Sequence, residues 1–146
     1  MKVVIRVVLS IICFNAVGAC KIEPQPISYG SDTCQFCSMT IVDKQHGSEI
    51  VTKKGKIYKF DAVECLLNYR KQNGDQEIGM YLCNHYTNPG ELIPVEDAIF
   101  LISEGIPSPM GAYLTAFDSE NSALEAKNEH GGSLYNWNEL IEHWEE

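Results

Sequence analysis

The sequence has few basic residues and no long hydrophobic run, and both absences narrow the class of protein. Lysine and arginine together number 11 against 20 aspartate and glutamate residues, which gives a formal net charge of −9 at pH 7. Such an acidic chain repels phosphate backbones and anionic lipid, so a nucleic-acid-binding protein is disfavoured. The apolar stretch at residues 7–17 is too short to cross a bilayer as a helix, for which about 20 residues are needed.

The first 19 residues have the pattern of an export signal. Lys2 and Arg6 precede the apolar stretch, and Val17-Gly18-Ala19 supplies small residues directly before Cys20. This ending resembles a bacterial lipobox, which implies cleavage before Cys20 and acylation of that residue. An ordinary secretory signal with an incidental cysteine is the alternative. Acyl chains would hold the protein at a membrane surface on the extracytoplasmic side. Cleavage removes two basic residues and no acidic one, so the net charge becomes −11.

Residues 20–33 predict a tether, and the chain after them repeats itself. The tether is rich in proline, serine and glycine and lacks hydrophobic periodicity. From residue 34 onward, matching residues recur at a single offset of 57 positions. The matches are Phe60-Asp61 with Phe117-Asp118, Leu67 with Leu124, Arg70 with Lys127, and Gly74 with Gly131.

Each copy predicts two strands, a helix and a further strand. Strand-forming residues precede each Phe-Asp pair, and Asp61 and Asp118 are predicted helix N-caps. Glu64 would complete a capping box with Asp61. The sequence therefore predicts an α+β fold of two similar β-β-α-β units. The predicted bounds are 62–72 and 119–129 for the helices, and 34–88 and 89–146 for the units.

The segment Cys34-Gln35-Phe36-Cys37-Ser38-Met39 carries the main chemical signal. Thiolate and thioether sulfurs are soft donors that select Cu(I) over magnesium, calcium or manganese. A pair of cysteines alone leaves redox chemistry, zinc and a disulfide equally open, and Met39 favours copper. Met110 lies in a loop between Pro109 and Gly111, where it is a further candidate donor. A methionine that fills a gap in the core is the alternative there.

The remaining cysteines allow a reading without metal. Once the signal is removed and Cys20 is acylated, four cysteines remain: Cys34, Cys37, Cys65 and Cys83. In an oxidising compartment four cysteines fit two disulfides, with three possible pairings. Cys65 falls on the apolar face of the first predicted helix, which favours a packed structural cysteine over a ligand.

The ordered set of motifs resembles the NosL family, lipoprotein copper chaperones for nitrous oxide reductase. The motifs are Cys34-x-x-Cys37-x-Met39-x-Ile41, Phe60-Asp61-x-x-x-Cys65, Pro109-Met110-Gly111, Gly131-Gly132 and Trp137-Asn138-Glu139-Leu140. The resemblance implies Cu(I) carriage to the copper–sulfide centre of the reductase, together with an ABC-type maturation complex. It implies Cys34, Cys37, Met39 and Met110 as ligands, and a fold related to an organomercurial lyase. Ser38 departs from the glycine usual in the family.

Two other functions compete with a binding protein that has no catalytic activity. One is a thiol–disulfide oxidoreductase that uses Cys34 and Cys37, although no strand–Cys-x-x-Cys–helix pattern is visible. The other is a structural lipoprotein stabilised by Cys34–Cys37 and Cys65–Cys83 disulfides. Zinc is a further alternative to copper, but closed zinc sites use four cysteine or histidine ligands, and methionine rarely serves.

Overall fold

The computed structural model describes residues 22–146, so the predicted signal and Cys20 lie outside the described residues. Within 22–146, no helix has both the length and the apolar character needed to cross a membrane. The elements are β1 (Ser48–Thr52), β2 (Ile57–Phe60), α1 (Val63–Asn73), β3 (Ile78–Asn84), β4 (Leu92–Pro94), a 3-10 turn (Val95–Asp97), β5 (Ile99–Ile102), β6 (Leu114–Phe117), α2 (Glu120–His130), β7 (Ser133–Tyr135) and α3 (Trp137–Glu145).

Two antiparallel sheets of the same plan make up the molecule, which confirms the α+β prediction. The first sheet has the strand order β2-β1-β3-β4, and the second has the order β6-β5-β7. In each sheet the first strand of the unit is flanked by the strands that precede and follow the helix. The first sheet has one strand more than the three predicted for each unit, because the short strand β4 pairs with β3.

The offset of 57 residues holds in three dimensions. The pairs β2 and β6, and α1 and α2, have the same lengths and lie 57 positions apart. Phe60 and Phe117 end the matching edge strands, and both side chains are buried. Gly74 and Gly131 follow the two helices with φ of 74° and 73°, a conformation that side chains disfavour. The predicted glycine stop for each helix is therefore confirmed.

The predicted aspartate caps are wrong. The N-cap position of α1 is Ala62, with no side-chain hydrogen bond, while Asp61 is buried one residue earlier. The N-cap of α2 is Ser119, whose hydroxyl accepts the Ser122 N–H at 3.3 Å. The carboxylate of Asp61 accepts a hydrogen bond from the backbone N–H of Val42 and does not cap the first turn of α1.

Residues 22–32 lie against the first sheet, although their composition is that of a tether. The Gln25 N–H donates to Glu49 Oε1 at 2.9 Å, and the Tyr29 hydroxyl donates to Asn84 Oδ1 at 2.7 Å. Ile27 is buried in the core. Proline prevents a regular ladder of hydrogen bonds but not the packing of an extended chain. The folded part therefore includes the segment that precedes Cys34.

One core joins the two units around α1. This helix contacts β1 and β2 of its own unit and β6 and α3 of the second unit. The larger hydrophobic cluster accordingly combines Ile50 and Phe60 from the first unit with Phe100, Leu114 and Trp137 from the second. The N-terminal turn of α1 is thereby held between loops from both units.

Candidate metal centre

A tight loop brings Cys34 and Cys37 together. Thr33 and Thr40 form an isolated antiparallel bridge that closes the loop. Inside it, the Cys34 N–H donates to the Met39 carbonyl at 2.8 Å, and the Cys37 N–H donates to Cys34 Sγ at 3.5 Å. Since these bonds fold the segment back on itself, both thiols lie on the same side of the loop.

Ser38 closes this turn in a left-handed conformation. Its φ is 64°, and its N–H donates to the Cys34 carbonyl at 3.0 Å. For a residue with a side chain, this region costs roughly 1–2 kcal/mol relative to a right-handed conformation. The glycine expected from the family resemblance would adopt it without that cost. The departure at Ser38 therefore keeps the turn and adds backbone strain.

Cys65 is the third thiol of the site. The Sγ atoms of Cys34, Cys37 and Cys65 all lie within 4.8 Å of one another. Cys34 and Cys65 are buried and Cys37 is partly exposed, and all three are free thiols, as is the buried Cys83. Cys83 is not part of this cluster. The described residues therefore contain neither disulfide of the metal-free alternative.

The tertiary structure places Cys65 in the core, as predicted, and also within the thiol cluster. Cys65 packs in the core, as its apolar neighbours predicted, but its sulfur faces the loop of residues 34–39. Two sequence signals pointed to it: its place in the first turn of a helix, and the Phe-Asp-x-x-x-Cys motif. Hydrophobic periodicity alone predicted only that Cys65 is buried, because a thiol is small and apolar enough to pack at any core position.

Hydrogen bonds lower the pKa of Cys34 to about 5. The largest cause is the hydrogen bond from the Cys65 thiol, and the backbone N–H groups of Cys37, Asp61 and Phe36 add to it against the opposing effect of burial. Donors directed at one sulfur stabilise its anionic form. Cys34 is therefore a thiolate at neutral pH, held in place before any metal arrives.

The other two thiols keep their protons. The pKa of Cys65 is raised chiefly because it donates to the Cys34 sulfur, and burial raises it further. Burial also raises the pKa of Cys37, and the neighbouring Cys34 adds to the shift. The resting cluster thus carries one negative charge shared among three sulfurs, so a cation that binds all three must displace two protons.

Met39 lies in the cysteine loop itself and Met110 lies in a loop that contacts the residue before Cys65, and both side chains are exposed. Met39 is 56% exposed and directly follows Ser38 in the cysteine loop. Met110 is 37% exposed, and its loop is tied to the helix that carries Cys65. The tie is a short hydrogen bond from the Ser108 hydroxyl to Glu64 Oε1, and the same hydroxyl accepts the Tyr113 N–H at 2.9 Å.

The donor set suits a soft monovalent cation better than zinc. The described part of the chain gathers three cysteines here, whereas a closed structural zinc site takes four cysteine or histidine ligands. Three sulfurs within 4.8 Å, one already deprotonated, match the two or three soft ligands that a d¹⁰ cuprous ion accepts. Partial exposure of Cys37 leaves one side of the cluster accessible.

Fold and site together define a small α+β protein with a preorganised thiol cluster on a duplicated sheet-and-helix scaffold. A sequence model of the NosL family matches residues 26–144, and the chain belongs to this family. The family is not enzymatic, in agreement with the prediction of a binding protein without catalytic activity. A search of curated protein sequences returns no match.

Among solved structures, the chain is similar to the crystal structure of the copper chaperone NosL from Shewanella denitrificans. The TM-score is 0.72 at 19% sequence identity, over 82% of this chain and 96% of that chain. At this level of identity the likeness establishes the fold, and it confirms the predicted NosL-like architecture.

Replacing Ser38 with glycine should stabilise the metal-free protein. Removing the left-handed strain at φ 64° should raise the free energy of unfolding by about 1 kcal/mol. Urea denaturation of the reduced protein measures the change. Ser38→Ala is the matched control, since it keeps a Cβ and should leave the strain in place. Equal stability of the glycine and alanine variants would contradict the assignment.

Cys34 should titrate as a thiolate well below the range of an ordinary cysteine. In the reduced, metal-free protein, the ultraviolet absorbance of one thiolate should appear with a midpoint near pH 5. Cys65→Ala removes the main hydrogen-bond donor and should move this midpoint upward, whereas Cys65→Ser retains a donor and should move it less. A midpoint that is unchanged in Cys65→Ala would show that Cys65 does not stabilise the anion.

Proposed function

We propose that this protein is a membrane-anchored Cu(I) chaperone that delivers copper for assembly of the copper–sulfide centre of nitrous oxide reductase. The observation that carries the proposal is the convergence of three free thiols, one of them a stabilised thiolate, at a partly exposed position. Membership in the NosL family supports it, and the solved relative of similar fold is itself a copper chaperone.

Copper binding proceeds by proton displacement in this scheme. Cys34 attracts the cation first, because it is anionic at neutral pH. Cys37 and Cys65 then release their protons as their sulfurs become ligands. Met39 and Met110 stand on the bordering loops as neutral sulfur donors that do not titrate. A thioether is the weaker donor, so exchange with an incoming sulfur of a partner would begin on the exposed side.

Membrane attachment and the client are the parts of the proposal that depend on sequence resemblance. The lipobox-like segment before Cys20 supports a lipid anchor on the extracytoplasmic side of the bacterial envelope. The NosL family membership supports nitrous oxide reductase as the client, with the ABC-type maturation complex as a further partner.

The arrangement of the thiols disfavours a thiol–disulfide oxidoreductase. Such enzymes attack with an exposed thiolate of low pKa. Here the thiolate, Cys34, is only 2% exposed, and the more accessible Cys37 has a raised pKa. The pair also lies in a closed turn rather than at the start of a helix. The cluster is thus built to hold a cation and not to exchange disulfides.

The reduced protein should bind about one Cu(I) under anaerobic conditions, because its three thiols form one cluster. Titration against a chromophoric Cu(I) competitor gives the stoichiometry and affinity. Cys34→Ala, Cys37→Ala and Cys65→Ala should each weaken binding by at least about tenfold. Cys83→Ala is the control, because that buried thiol lies outside the cluster, and it should bind normally. Equal losses in all four variants would indicate damage to the fold and would contradict the ligand assignment.

Isothermal titration calorimetry in buffers of different ionisation enthalpy measures the number of protons released when copper binds. Binding at neutral pH should release about two protons per copper if Cys37 and Cys65 both become ligands, and about one if only Cys37 does. Affinity should therefore fall as the pH is lowered.

Copper delivery can be measured in cells that express nitrous oxide reductase. Loss of this protein should lower the copper content and activity of the purified reductase while its polypeptide level stays unchanged. Wild-type protein should restore both, and Cys37→Ala should not, because the accessible sulfur needed for exchange is lost. Cys83→Ala should restore both. A reductase with normal copper in the absence of the protein would contradict the client assignment, without bearing on Cu(I) binding.

A further inference from the structure

The chain enters the folded part at one end of the first sheet. Ile22, the first described residue, lies against Gly79 at the start of β3: a Cβ built on Gly79 would be 3.4 Å from Ile22 Cγ2. The same point lies 3.2 Å from the Val51 carbonyl oxygen and 3.4 Å from the Lys53 nitrogen. The entry point therefore adjoins the β1–β2 turn at residues 53–56.

The thiol cluster lies at the opposite end of the same elements. The antiparallel register pairs Val51 with Ile57 near the turn and Ser48 with Phe60 at the far end, where Asp61 donates its N–H to Cys34. From Ile57 to Asp61 an extended chain covers about 13 Å. From Cys65 to the end of α1 the helix covers about 12 Å. Both elements run from the entry end to the sulfur end.

Basic charge is concentrated at the entry end. Five of the eight lysine and arginine residues in 22–146 lie there, on the β1–β2 turn and the last turn of α1: Lys53, Lys54, Lys56, Arg70 and Lys71. Five acidic residues accompany them: Glu23, Asp75, Glu77, Glu145 and Glu146. The rest of this part of the chain has 15 acidic residues against three basic ones. The entry end is therefore close to neutral, and the rest of the described chain taken together is strongly acidic.

Some of the charges at this end form ion pairs with each other, and the others contact neutral groups at the surface. Arg70 binds Asp75 and Glu145 at 2.7 and 2.9 Å, and the exposed Lys54 lies 3.3 Å from Glu77. Lys53 and Lys56 are also exposed; the ammonium of Lys53 donates to the Gln76 carbonyl, and that of Lys56 lies 4.6 Å from the centre of the Tyr58 ring. The lysine side chains of the β1–β2 turn thus keep their charge at the surface.

We infer that the entry end, formed by residues 53–56, the last turn of α1 and residues 74–79, rests on the anionic lipid headgroups, with the thiol cluster facing away from the membrane. The inference rests on the acylation of Cys20 in the proposed function. Only Lys21 separates Cys20 from Ile22 in the sequence, and a connection of two residues spans at most about 7 Å. With so short a connection, this end is held at the headgroups.

Electrostatic interactions between the lipid surface and the charged side chains favour the same orientation. The negative potential of an anionic lipid surface repels the acidic faces of the molecule and tolerates the near-neutral end, where lysine ammonium groups can approach phosphate. The net negative charge of the chain disfavours adhesion of an unanchored protein to anionic lipid. In an anchored protein, the same charge turns the acidic faces away from the membrane. Copper would then be offered to partners on the side away from the bilayer.

Lysine footprinting of the full-length, acylated protein tests the orientation. The protein is placed in nanodiscs of phosphatidylethanolamine and phosphatidylglycerol, acetylated in short pulses, and compared with the same protein in mild detergent by mass spectrometry. Lys53, Lys54 and Lys56 should react at least about threefold more slowly in nanodiscs. Lys44 and Lys127, which lie elsewhere, should react at unchanged rates, and so should Met39 and Met110 towards dilute peroxide.

Charge-reversed variants provide the matched control. Lys54→Glu combined with Lys56→Glu should reduce the protection of Lys53 in anionic nanodiscs, whereas Lys44→Glu combined with Lys127→Glu adds the same charge elsewhere and should not. Equal labelling of all lysines, protection of Met39 and Met110 by the bilayer, or an intact mass without acyl groups would each overturn the inference. A failed copper titration would leave the lysine pattern as it is, so copper binding and the orientation at the membrane fail separately.

Discussion

The hydrogen bond from the Cys65 thiol to the Cys34 sulfur is the contact on which the site depends. It joins a loop that lies outside the regular elements to the first turn of a helix buried between two sheets. The proton shared along this contact lowers the pKa of one sulfur and raises that of the other, so the cluster holds a single negative charge. A cluster of three thiolates would repel itself, and three neutral thiols would attract no cation. One thiolate among three sulfurs would attract a monovalent cation and leave the remaining protons to be displaced.

Several features around this contact cost folding free energy, namely buried polar atoms without a partner and strained backbone conformations. Asp61 Oδ1 and Glu64 Oε2 are buried without a hydrogen-bond partner within the described chain, and desolvation raises the pKa of both carboxyl groups. Ser38 adds a left-handed backbone conformation in the cysteine loop, and Tyr113, with φ of 61°, adds another beside the Met110 loop. Unpaired buried polar atoms and strained residues gather at functional sites because the surrounding packing can sustain them. Here that packing comes from the core shared by both units.

The duplicated architecture explains how one site arises from two similar units. The equivalent of Cys65 at an offset of 57 residues is Ser122, and the equivalent of the buried Leu67 is the 40% exposed Leu124. The first helix is therefore enclosed and carries one of the clustered thiols, while the second is more exposed and carries none of them. The second unit contributes through its loops instead: Ser108 binds Glu64, and Thr115 binds the buried His46 at 3.2 Å. The first unit holds the sulfur cluster, and the second unit supports it through these hydrogen bonds.

The sequence by itself determined the repeat, the glycine-terminated helices, the α+β class and the cysteine loop, because each of these is written in residues close together in the chain or in a fixed spacing. Local patterns wrongly predicted Asp61 to be a helix cap, because capping preferences describe the first turn alone and omit contacts with residues outside the helix. They also ranked Cys65 with the core and residues 22–32 with a tether. Only the tertiary structure decided these points. Cys65 lies 31 residues after Cys34, and whether its thiol faces the core or the cysteine loop depends on the direction of its Cα–Cβ bond. That direction is fixed by the long-range packing of α1 against both sheets.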